Sequence, residues 1–285
     1  MHLDLGRAFV LPALCLFLPV VCCSCSSDGT GGGSPSHAGQ LVLTGSSTVA
    51  PLAAEIGKRF ESAHPGVRVD VQTGGSSRGV IDARRGLADI GMVSRDLKPD
   101  ESDLHAFTIA RDGISMIVHR GNPVAAMRNE QIVAIYTGRI RNWKEVGGPD
   151  APITVVNKAE GHSTLELFLH YFGLKAGDIR ADVIIGDNEQ GIKTVAGNSH
   201  AIGYVSIGTA EYDAHQGVPI KLLPIGSVAA STENVRNGTF PFARPLNLVT
   251  KSESPQGLAK QFIEFARSKQ VHDIIEQQYF VPLAP

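Results

Sequence analysis

Three short segments of this chain carry the residue types that hold anions. They read GSST at 45–48, GGSSRG at 74–79 and GHST at 161–164. Each follows a short apolar run and leads into a helical pattern. Glycine lets the backbone come close to a ligand, and Ser and Thr hydroxyls add donors. A helix N-terminus supplies unpaired N–H groups and a partial positive charge. Such parts make an oxyanion site at the carboxyl ends of parallel strands. One of these loops alone is more often just a helix cap or a turn. Three of the same design, each at a strand end, point to one shared site.

The elements that position these loops follow from periodicity. Residues 41–43 (LVL) form a strand, and Leu52, Ile56, Phe60 and Ala63 share one helical face. Pro51 suits the first turn of that helix, with Ser47 or Thr48 as its cap. His64-Pro65-Gly66 stops it. Val67, Val69 and Val71 alternate as a strand, a short helix runs to Arg85-Gly86, and 88–94 is the next strand. This rhythm predicts a parallel α/β sheet. Further strands are expected around Ile114, Met116 and Val118, and at 153–156, 201–205 and 246–250. Helices are expected at 129–136, 165–172 and 255–267.

Composition narrows the class. The chain has 285 residues, with 26 Lys+Arg against 28 Asp+Glu and a formal charge of -2. That balance argues against a nucleic-acid binder, which needs a basic surplus or stripe. Residues 8–23 are mostly apolar, a length suited to a signal-peptide core rather than a membrane span. All four Cys lie at or before position 25, so the body is expected to have no disulfide and no Cys-based metal site. His162, His170, His200, His215 and His272 are scattered, and no metal or cofactor is expected. Residues 1–24 look like a bacterial lipoprotein leader, with Cys25 the lipidated residue and Cys23 the alternative. Residues 25–39 then form a Gly/Ser tether. This places the protein outside the cytoplasm, in the periplasm or at the cell surface, anchored by lipid.

The segments TGSSTVAP, TGGSSRG, ADIGMVSR, TGRIRNW and NKAEGHSTLELF, in this order and spacing, resemble the phosphate-binding proteins of the Pst-type ABC importer. The stretch AIGYVS at 201–206 matches as well, and the likeness runs from about Leu41 to Tyr279. The resemblance implies the two-lobed periplasmic-binding-protein fold, an α/β architecture of mostly parallel sheets with the ligand in the cleft. One lobe would hold 40–114 and 228–285, the other 115–227. It also implies inorganic phosphate as ligand, an ABC permease as partner, no nucleic acid, a monomer and no enzymatic reaction.

Matching position by position, the resemblance places ligand contacts on Ser47, Thr48 and Val49, then on Ser76 and Ser77, with Arg78 beside them. The next strand end contributes Ser94 and Arg95, and the last loop Lys158, Gly161, His162, Ser163 and Thr164. Lys158 stands where the family has an arginine, and Arg95 where part of it has an aspartate. An aspartate there accepts the P–OH proton and repels sulfate. Its absence keeps sulfate, molybdate and tungstate as alternative ligands. A scavenger or sensor not coupled to import is a further alternative. Glu160 is expected to orient Lys158, and Asp89 to pair with Arg84 or Arg85. Residues 75–79 fit the Gly-x-Ser-x-Gly form of serine hydrolases, which makes catalysis a third class.

Overall fold

Leu41 and Leu43 lie on one side of the first strand, β1 (Gly39–Gly45), and both are buried. The structure, a computed structural model, describes residues 39–283. The leader, Cys25 and the tether up to residue 38 lie outside the described residues. After β1 the chain alternates strictly: α1 (Val49–Ala63), β2 (Val67–Thr73), α2 (Ser76–Arg85) and β3 (Ile90–Val93). In α1 the apolar face buries Leu52, Ile56 and Phe60 completely. Helix α2 stops at Gly86, whose left-handed backbone closes it by donating to Ala83 and Asp82 carbonyls.

The chain then runs through β4 (His105–His119), α3 (Asn129–Tyr136), β5 (Thr154–Lys158) and α4 (Ser163–Phe172). Next come β6 (Val183–Ile185), α5 (Asn188–Ala196), β7 (Ala201–Ser206), α6 (Ile207–His215) and β8 (Ile220–Leu222). It ends with α7 (Thr232–Arg236), β9 (Ala243–Thr250), α8 (Gly257–Ala266), α9 (His272–Gln277) and β10 (Val281–Pro282).

The strands follow the order β2-β1-β3-β9-β4-β7-β5-β6, with β8 and β10 also paired to β4. Both flanks are parallel: β1 with β2 and β3, and β5 with β6 and β7. The centre is antiparallel, β4 pairing with both β9 and β7 as it passes from one core into another. Residues 105–113 of β4 pair with β9, and 114–118 pair with β7. One core gathers Leu43, Phe60, Ile90, Leu248 and Phe262. Another gathers Tyr136, Trp143, Phe168 and Tyr204, with Trp143 Nε1 donating to the His200 carbonyl. The sequence shows only the second half of β4, since His105, Thr108, Arg111 and Asp112 interrupt the apolar alternation of the first half.

Candidate functional site

The first loop leaves β1 at Gly45 (φ +130°). Ser46 then turns inward: its N–H donates to the Met92 carbonyl at 2.8 Å. Its Oγ accepts from the N–H groups of Thr48 (3.2 Å) and Val49 (3.3 Å) and donates to Ser94 Oγ (3.0 Å). Ser46 therefore caps α1, not Ser47 or Thr48. Ser47 is half-buried and lines a cavity of about 320 Å³ beside Asp187 and Glu189. Thr48 is buried, and its Oγ1 accepts from Asn188 Nδ2 and from Arg244 Nη2, each at 3.1 Å.

The second loop turns at Gly75 (φ +85°) into α2. Ser76 is buried and its Oγ accepts from the Ser94 N–H at 3.2 Å. The Ser77 N–H donates to the Gly161 carbonyl at 3.0 Å, and its Oγ to Glu166 Oε1 at 3.3 Å. Ser77 has a carboxylate rather than a histidine as partner, which is not the arrangement of a serine nucleophile. Arg78 turns away from the loop. It donates to the Thr73 carbonyl (2.8 Å), Gln72 Oε1 (3.0 Å) and Asp82 Oδ2 (3.1 Å), so it braces the start of α2.

The third loop follows Lys158 at the end of β5. Lys158 is 2% exposed, and its Nζ donates to Asn188 Oδ1 at 3.1 Å. Burial lowers its pKa to about 7, with Asp187 opposing and Arg244 adding to the effect. Gly161 (φ +83°) carries the chain into α4. His162 is the residue before the first turn of α4, and burial, followed by the Lys158 charge, lowers its pKa. Ser163 is buried with no hydrogen-bond partner for its Oγ. Thr164 is buried and its Oγ1 accepts from Arg244 Nη1 at 3.0 Å. Glu160 is exposed and does not hold Lys158; Asn188 does.

Arg244 joins the first and third of these loops to Ser94 at the end of β3, and sequence reasoning missed it. It lies at the start of β9, and its side chain is 1% exposed. Its guanidinium donates to Asp112 Oδ2 (2.8 and 3.1 Å), Thr48 Oγ1 (3.1 Å), Thr164 Oγ1 (3.0 Å) and Ser94 Oγ (3.3 Å). Asp112, equally buried, also accepts from the Gly208 N–H at 3.2 Å. The available signals were weak: an Arg two residues ahead of the strand expected at 246–250, and an Asp inside a strand.

Arg95 makes its contacts away from the Arg244 cluster. It is 4% exposed but faces carboxylates rather than the cluster. Nη1 and Nη2 form a fork on Glu101 at 2.7 and 2.8 Å, and Nη1 also donates to the Asp96 carbonyl. Its Nε lies 2.8 Å from Glu166 Oε2, an ion pair rather than an aligned hydrogen bond, and Lys98 meets the same oxygen at 2.9 Å. Two cations and two carboxylates balance in this network. Asp89 likewise does not pair with Arg84 or Arg85. Its Oδ2 accepts from the Val42 N–H, while Arg84 holds Asp103.

This network predicts a pH effect. Burial alone raises the Glu101 pKa, but hydrogen bonds from Arg95 and from the Lys98 N–H outweigh it and hold it low. A lowered carboxylate pKa contributes stability at neutral pH that is lost as pH falls through the carboxylate range. Arg95→Met is therefore expected to lower the Tm at pH 7 and to flatten its fall towards acid. A thermal melt series at successive pH values checks both; parallel curves would contradict the assignment.

Among the described residues, no group of His, Cys, Asp and Glu is placed to hold a metal ion. No helix among them is long and apolar enough to cross a membrane. Strands crossing between two cores, with a buried cationic cluster where they meet, define a solute-binding architecture. Residues 30–270 match the PBP superfamily domain, and the chain belongs to that superfamily. Within it, the chain's relatives are phosphate-binding proteins of the Pst type. It is 28% identical over 266 residues to the phosphate-binding protein PstS of Bacillus subtilis, covering 90% of this chain and 85% of that one. A crystal structure of a putative phosphate ABC transporter substrate-binding protein with bound phosphate, from Clostridium perfringens, superposes with a TM-score of 0.79 at 33% identity. That match covers 86% of this chain and all of that one (100%). An ABC-type phosphate transport receptor from Vibrio cholerae gives 0.70 at 30% identity, covering 85% and 100%.

Proposed function

We propose that the cluster around Arg244 binds inorganic phosphate and that the chain delivers it to an ABC permease. The observation that carries this reading is the buried guanidinium of Arg244, held by Asp112 and spending its other donors on hydroxyls from separate loops. Those hydroxyls are small, rotatable and able to turn their protons to an anion. Arg244 and Asp112 cancel, and Lys158 leaves the cluster with a positive charge when protonated. Charge-assisted hydrogen bonds of this kind are the strong ones, more so where water is excluded. The ligand-binding set is Ser46, Thr48, Ser76, Ser94, Lys158, Ser163, Thr164, Asn188 and Arg244, with the N–H groups at the start of α4 behind them.

The lobes expected at 40–114 with 228–285 and at 115–227 follow the two cores only in part, because Val235, Phe240 and Phe242 pack into the second core, and the lobes close on the ligand through β4 and β9. The protein works as a monomer outside the cytoplasm, anchored by lipid at Cys25, and carries out no reaction. The known relatives support the phosphate and permease parts of this reading.

Calorimetric titration of anion-stripped protein with phosphate, sulfate and molybdate tests the reading. Micromolar or tighter phosphate binding is expected, about -8 kcal/mol. Absence of phosphate heat would end it. Thr164→Val, which removes one donor and little volume, is expected to weaken phosphate about tenfold. An unchanged affinity in that variant would take Thr164 out of the site.

A further inference from the structure

We infer that Lys158 couples anion binding to the uptake of a proton at its own amine. The inference rests on the phosphate reading above. Lys158 is enclosed on every side. From α5 it meets Asn188, with Asp187 one residue before it; from β9 it faces Arg244. His162 stands before α4, and on β7 the Tyr204 hydroxyl accepts the Lys158 backbone N–H. The two buried cations are treated differently. Arg244 has its own carboxylate in Asp112. Lys158 has only the neutral Asn188 amide oxygen, and among the described residues no carboxylate stands at salt-bridge distance from it. Asn188 passes this contact on to Thr48, so the amine is wired to the hydroxyls that face Arg244.

An ammonium buried without a counter-ion sheds its proton readily. Burial brings its pKa to about 7, so the empty site holds a mixture of amine and ammonium near neutral pH. A bound dianion supplies the missing counter-charge, and Lys158 takes a proton from solvent to meet it. One proton moves from buffer to Nζ: its bond to the buffer acid breaks and an N–H bond forms on the amine. An arginine here would stay charged throughout, and its binding would carry no such proton.

The test is calorimetry of the full chain with inorganic phosphate at pH 8, in two buffers of different ionisation enthalpy. Free phosphate is then already mostly the dianion, and Lys158 mostly the neutral amine. Uptake of nearly one proton per phosphate is expected in the wild type, and almost none in Lys158→Arg. The wild-type affinity should also fall by about tenfold per pH unit above neutrality, a slope the arginine variant loses. Lys158→Met serves if the arginine variant does not fold: weak, pH-independent binding without uptake is expected. Phosphate binding without proton uptake in the wild type overturns the inference while leaving the phosphate reading intact. Equal uptake in Lys158→Arg also overturns it and moves the proton to another group, with His162 first in line. No phosphate heat in any buffer ends the phosphate reading and this inference together.

Discussion

Arg244→Met is expected to weaken phosphate binding roughly thousandfold, about 4 kcal/mol. The guanidinium touches hydroxyls on three loops, and methionine replaces none of its donors. The same change leaves Asp112 as a buried, unpaired carboxylate at 1% exposure, held by one N–H. Breaking such a pair from one side costs about 3–5 kcal/mol of stability. The two effects can be separated. Arg244→Lys keeps a cation opposite Asp112 but loses the planar fork. It should stay folded, by circular dichroism, and bind phosphate at least about tenfold more weakly. Wild-type affinity in a folded Arg244→Met protein would remove the residue from the site.

Gly79→Ala is expected to destabilise the protein although the residue sits inside α2. In an exposed helix the change would gain about 1 kcal/mol from propensity. Here a Cβ would stand 2.7 Å from the Met92 carbonyl oxygen and 2.8 Å from that of Thr44. Both neighbours are backbone and cannot rotate aside, so α2 must lift from β1 and β3. Gly91 makes the same contact from the other side, since its Cβ would lie 2.4 Å from the Gly79 oxygen. Overpacking of this kind costs about 1–3 kcal/mol and outweighs the propensity gain. A Tm lower by roughly 5 °C is expected for a chain of this size. Phosphate affinity should fall as well, because α2 carries Ser76 to the Ser94 N–H. A Tm at or above wild type would show that the helix moves freely on the sheet.

The three loops were legible because glycine and hydroxyl residues at a strand-to-helix step leave a local signature. They do meet: the Ser77 N–H reaches the Gly161 carbonyl, and Arg244 spans Thr48 and Thr164. Which hydroxyl of a tandem pair points inward was not legible. The turn at Gly45 sends Ser46, rather than Ser47, into the cluster. Arg244 and Asp112 are far apart in sequence and meet only because β4 and β9 pair side by side. No local pattern encodes such a contact. Arg95 shows the opposite case. It follows the expected strand, but Glu101, six residues later, and Glu166 capture it. A strand end predicts where a side chain starts, not which charge it finds.

A crystal structure of the protein grown with phosphate tests the central claim most directly. The account predicts phosphate within hydrogen-bond distance of Arg244, Lys158, Thr48 and Thr164, with Arg95 still on Glu101 and Arg78 still on Asp82. A phosphate held by Arg95 or Arg78, or bound away from Arg244, would contradict it.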